Sequence, residues 1–139
     1  MVKEFINEFG KTYCRVSHLA EYRSMVVAWH GYTTKLQVET VLLWLEEREK
    51  EVPYDAIIND CTEILSVWGD SIGWLSRIWA LRMTRIGLRK FVHVAKVNSF
   101  GYRIGTELEQ SLISQVELKY FGSRSEAFEW LSGDKASCT

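Results

Sequence analysis

Only one proline, Pro53, stands in the 139 residues, with three cysteines, three histidines and no surplus of charge of either sign. Each scarcity excludes something. Seventeen basic against 18 acidic side chains leave a formal net charge of −1, so no field of one sign draws nucleic acid or an anionic membrane surface. Cys14, Cys61 and Cys138 are an odd set without CxxC spacing. They read as reduced thiols of a cytoplasmic protein, not as a disulfide framework or a zinc site. No apolar run approaches the roughly 18 residues of a membrane span. The opening MVKEFINEFG has acidic residues where a signal peptide needs a basic and then an apolar stretch.

What is present is ordinary globular material, 47% hydrophobic and 25% charged. One domain is expected over residues 1–139, with its core at about 12–132 and a polar tail at 134–139. The first ten residues read as a short strand or a loose end. Cys14, Val16 and His18 alternate with Tyr13, Arg15 and Ser17, as in a half-buried strand, and Tyr22 to His30 returns as its hairpin partner. Thr34 with Gln37 is a capping-box signal for a helix reaching about Lys50. Ala56-Ile57-Ile58 is a short β-branched run, expected as a buried central strand ending at Asp60. A helix from about Ser71 to Ile86 follows, stopped by Gly87. Phe91 to Ala95 is the next strand, Tyr102 to Ser114 the next helix, and Val116 to Phe121 a final strand. Ser123 with Glu126 opens the last helix, which Gly133 closes. The order β-β-α-β-α-β-α-β-α implies an α/β domain with a mixed sheet, antiparallel in its hairpin and parallel where helices cross over. Four short amphipathic helices suffice to cover one face of such a sheet, so the helices are expected mainly on one side.

The most informative stretch is DAIINDCTEILSVWGDSIGWL, residues 55–75. Strand, polar loop and helix follow one another there, and open α/β sheets place ligands beyond the carboxyl ends of their strands. With the C-terminal YFGSRSEAFEWL, this stretch resembles the STAS domains, the anti-sigma-factor-antagonist or stage-II-sporulation-AA-like family. The family has an apolar strand ending in Asp, then Asp-Ser-Ser-Gly-Leu opening a helix; here Asp60 ends the run, and Asp70-Ser71-Ile72-Gly73-Trp74-Leu75 opens the helix. The resemblance covers roughly residues 12–132. Its Trp-rich flanks are closer to an uncharacterised bacterial branch than to the sporulation regulators. It implies a non-enzymatic regulatory or protein-interaction module and, at Ser71, a phosphorylation site. Ile72 replaces the family's second serine, and a longer loop separates Asp60 from Asp70. A serine opening a helix is also simply an N-cap.

Weighed residue by residue, the chemistry is thin. Asp60 and Asp70 flank one loop and invite pairing as carboxylates, although loop and helix capping explains them more simply. Asn59, Asp60 and Glu63 fit no calcium-loop spacing. His93, by strand parity, falls on the solvent face of an open sheet. Gly101-Tyr102-Arg103-Ile104-Gly105 follows a strand and opens a helix but lacks a phosphate-loop spacing, and Asn98-Ser99 caps that helix. No metal and no cofactor is expected, and no nucleophile–base pair points to an enzyme. Trp44, Trp74, Trp79 and Trp130 read as core. Trp68 stands apart, as a partner anchor, a pocket wall with Tyr32, Phe100 and Tyr102, or a side chain folding its loop onto the domain. The expected site is therefore Asp60, Trp68, Asp70, Ser71, Trp74, Phe100 and Tyr102. It would bind a protein partner or a second copy, an uncovered sheet face carrying Tyr13 or His93 favouring the latter. The alternative is a carrier of a small apolar ligand or lipid. Exposure of Trp68 separates them, because anchors protrude and pocket walls do not.

Overall fold

A computed structural model describes residues 2–112 and 116–137. Six strands form one mixed sheet in the order of the chain: β1 (Val2–Ile6), β2 (Thr12–Leu19), β3 (Ser24–Gly31), β4 (Ala56–Ile64), β5 (Lys90–Val94) and β6 (Glu117–Phe121). The first three are antiparallel, and β3 to β6 are parallel. The helices are α1 (Lys35–Glu51), α2, α3 (Phe100–Ser111) and α4 (Arg124–Ser137). In α2, helical turns at Asp70–Trp74 and Ala80–Arg85 run on through a π-helical turn at Leu75–Trp79. The expected mixed α/β architecture is present, and its first strand is formed.

Local chemistry accounts for the boundaries. Thr34 Oγ1 accepts from Gln37 N–H at 3.2 Å while Gln37 Oε1 accepts from Thr34 N–H at 3.0 Å, the reciprocal pairing that starts α1. Ser99 Oγ accepts from Tyr102 N–H at 3.1 Å and caps α3. Two boundaries differ from expectation. The strand β4 runs to Ile64, past Asp60, because its later residues still pair with His30 and Gly31. At the other end, α4 passes through Gly133 to Ser137, so 134–137 are helical instead of a loose tail. An exposed glycine inside a helix costs only about 1 kcal/mol and need not end it. Residues 113–115, 138 and 139, with Cys138 and the expected end of α3 at Ser114, lie outside the described residues.

Strand parity divides the core in two. Met25, Val27, Trp29, Ile57 and Phe91 face α1, α2 and α3, while Val26, Ala56, Ile58, Val92 and Val94 face Ala127 and Leu131 of α4. One face therefore carries the three crossover helices, and α4 alone covers the other. Leu75, Trp79 and Met83 bury the inner stripe of α2, and Trp79 Nε1–H donates to Leu42 O at 2.7 Å, locking α2 to α1. Tyr13 and His93 are both buried, so neither marks an uncovered sheet face. The parity assigned to His93 holds, but the face it points to lies beneath α3, because helices cover both sides of the parallel half.

The helix α3 lies close against the sheet. A Cβ on Gly101 would collide with the backbone carbonyl oxygen of Cys61 and come within 2.8 Å of that residue's Cβ. A Cβ on Gly105 would lie 2.7 Å from the His93 ring and 2.8 Å from the Tyr120 ring. The two glycines are four residues apart and so share one helix face. Gly-Tyr-Arg-Ile-Gly is thus a docking stripe. Gly101→Ala is expected to cost about 3 kcal/mol, since backbone on a central strand cannot yield as a flexible side chain would. Chemical denaturation checks it, and a loss under 1 kcal/mol contradicts the close contact.

A second buried polar group lies at the opposite end of the parallel strands. Glu49 is 1% exposed, and its Oε2 accepts from Tyr54 N–H at 3.1 Å. Its Oε1 has no partner among the described residues. Burial pushes the carboxyl from its ordinary 4.5 up to about 7. The folded state therefore holds this proton while the unfolded chain releases it, and stability falls as pH rises from about 4.5 to about 7. Glu49→Gln removes that loss. The stability difference between wild type and variant should shift in the variant's favour by about 3 kcal/mol across the same window. Melting curves at several pH values measure the gap, and a constant gap would contradict the assignment.

Candidate functional site

The site begins with an indole. Trp29 on β3 is fully buried, and an indole N–H can only donate. It donates to Asn59 Oδ1 on β4 at 2.7 Å. That bond fixes which way the amide faces, so Asn59 Nδ2 is the group turned to His93 Nδ1 on β5, at 3.2 Å. His93 Nδ1 is then an acceptor. Its Nε2 lies 2.7 Å from Gly101 O at the start of α3 and donates to it. One donor with no alternative thus dictates a neutral imidazole protonated on Nε2. Burial pushes the His93 pKa below its ordinary value, against the pull of the Gly101 carbonyl and Asp60, which agrees with that neutral form.

Tyr120 on β6 extends the row. Its ring meets His93 edge to face, with centroids 5.9 Å apart, and its hydroxyl donates to Gly105 O. Burial and the neighbouring Glu109 push the phenol up to about 12. Side chains from β3, β4, β5 and β6 therefore form a continuous row, buried from Trp29 to His93 and reaching the surface at Tyr120, beside the two glycines of α3.

Beyond this row a half-open cleft of about 390 Å³ lies at the carboxyl ends of β5 and β6. Its position follows from topology. The connection leaving β5 enters α3 on one face, whereas the chain leaving β6 enters α4 on the other, and adjacent strands whose connections diverge leave a crevice between them. Tyr102, Thr106 and Glu109 form its α3 wall at helical spacing. His93 and Tyr120 contribute from the sheet, and Glu126 from the first turn of α4.

Of the expected site residues, only Tyr102 lines this cleft. Trp68 is 4% exposed and stacks edge-to-face on Trp29 at 5.0 Å, so it folds its loop onto the domain and does not protrude. Ser71 is fully buried, its hydroxyl without a hydrogen-bond partner among the described residues. A kinase has no access to it in this conformation. Asp70 is exposed at the start of α2, and the half-buried Trp74 lies under the Arg82 guanidinium at 5.7 Å. Phe100 is exposed at the start of α3.

Asp60 is not paired with Asp70, because it sits within β4 on the face toward α4. Its Oδ1 accepts from Thr62 N–H and hydroxyl at 2.9 and 2.7 Å, and its Oδ2 meets Arg124 Nε at 2.5 Å. Burial raises its pKa, but the bonds from Thr62 and Arg124 outweigh that and hold the carboxyl below its ordinary range. Among the described residues no group of three or more His, Cys, Asp or Glu side chains could hold a metal ion. Cys14 and Cys61 are buried free thiols, both pushed up in pKa by burial. No helix among the described residues is long and apolar enough to cross a membrane.

The cleft residues that sequence reasoning missed are Thr106, Glu109, Tyr120 and Glu126. A signal existed: the glycines at 101 and 105 mark one face of α3 for the sheet, which turns the neighbouring stripe of 102, 106 and 109 toward the sheet edge. The sequence matches no protein-family model and no curated protein.

The polar row has a measurable consequence. Asn59→Leu strands the Trp29 N–H and the His93 Nδ1 in an apolar interior, at about 1–3 kcal/mol for each orphaned group. The melting temperature is expected to fall by about 10 °C or more. A drop within 2 °C would show that the row is dispensable.

Proposed function

We propose that this protein is a non-catalytic binding domain that holds a small molecule in the cleft between α3 and β6. The observation that carries the proposal is the cleft itself: about 390 Å³, within the range of ligand sites, with tyrosines on two sides and a floor held by a hydrogen-bonded row. Rigid walls lower the ordering cost of binding. The histidine at its base has both ring nitrogens committed within the fold, which leaves it no proton to exchange with a substrate. That favours holding over transforming.

The resemblance to STAS domains supports a second proposal, a regulatory module that docks a protein partner. Trp68 and Ser71 are buried and would not be its contacts, whereas Asp70 is exposed. The observation favouring it is the exposure of Tyr32, Leu65, Val97 and Phe100, which follow the carboxyl ends of β3, β4 and β5.

Native mass spectrometry of the protein purified without harsh washing tests the first proposal. A retained small molecule is expected, and Thr106→Phe, which fills the α3 wall, should lose it. A clean apo mass for the wild type, or equal retention by the filled variant, would contradict a ligand in this cleft.

A further inference from the structure

From the hydrogen-bond valences left open in the cleft, we infer that it selects an organic cation, an ammonium group carried on a small apolar body. The inference rests on the cleft being a ligand site. Four side-chain donors line it, and three are spent inside the protein: His93 Nε2–H on Gly101 O, Thr106 hydroxyl on Arg103 O, and Tyr120 hydroxyl on Gly105 O. What faces the space is two carboxylates, aromatic rings and a single remaining side-chain donor, the Tyr102 hydroxyl. The two charged lining residues, Glu109 and Glu126, are both carboxylates, one on each side of the opening, and no lysine or arginine is among the lining residues. Arg124, two positions before Glu126, is held by Asp60 and so is directed to the sheet.

An anionic pocket with no lining cation disfavours carboxylates and phosphates by repulsion. An ammonium ion meets both carboxylates and the rings of Tyr102 and Tyr120, and cation–aromatic contact adds to that attraction. The apolar remainder, Ala95, Val97 and Phe121, suits a hydrocarbon or aromatic body.

Three probes of one shape test it: phenethylammonium, 2-phenylethanol and 3-phenylpropionate, titrated into isotope-labelled protein and followed by amide shifts. The ammonium should bind at least tenfold tighter than the alcohol, with shifts centred on α3, β6 and the start of α4, and the carboxylate should not bind. Glu109→Gln with Glu126→Gln should erase that preference, the ammonium then binding no more than twofold tighter than the alcohol. Both positions are exposed, and an unaltered melting curve verifies the fold. Equal or tighter binding of the alcohol or carboxylate in the cleft overturns the cation assignment and leaves the ligand cleft standing. No shifts in the cleft with any of the three overturn both.

Discussion

A single donor without alternatives organises this molecule. The Trp29 indole N–H, buried on β3, has one acceptor within reach, and its demand passes through the Asn59 amide to the His93 ring and on to the Gly101 carbonyl. Each link leaves the next only one orientation. Reversing any link would set donor against donor or acceptor against acceptor in an interior where neither can turn to water. The row runs perpendicular to the strands and fastens α3 to the sheet at its first turn, so secondary structure, helix position and cleft share one constraint.

The glycines of α3 are the steric half of that constraint. Without side chains at 101 and 105 the helix backbone descends close enough for its carbonyls to serve as acceptors for His93 and Tyr120. A helix held at the usual distance would leave both donors unsatisfied. The cost of burying polar groups is thus offset by backbone acceptors that only a glycine face can deliver. The stripe beside that face, Tyr102, Thr106 and Glu109, becomes the cleft wall as a geometric consequence.

Much of the fold was legible because local signals agreed with each other. Thr34 and Gln37, Ser99, the β-branched run at 56–58 and the hairpin alternation at 13–18 each named an element that exists. What was not legible depended on which face a helix takes. Alternation along Phe91 to Ala95 gives two sides but no outside, so parity alone places His93 on the open face of a sheet whose helices are expected mainly on one side. Once α4 crosses to the other face, His93 becomes core and the crevice moves from the end of β4 to the gap between β5 and β6. Trp68 was left among three alternatives for a similar reason, and the structure bears out the one in which it folds its loop onto the domain. A tryptophan in a loop shows no periodicity, and only the position of Trp29 across the sheet reveals that it has a partner.

The most direct test of this account is the protonation state of the His93 ring, read by long-range nitrogen–proton NMR of histidine-labelled protein. The account predicts a neutral ring at pH 7, with the proton on Nε2 and Nδ1 bare, and protonation only below the pH at which an ordinary imidazole titrates. A proton on Nδ1, or an imidazolium forming near pH 6.5, would break the row at its central link and contradict the placement of α3 and the cleft it walls.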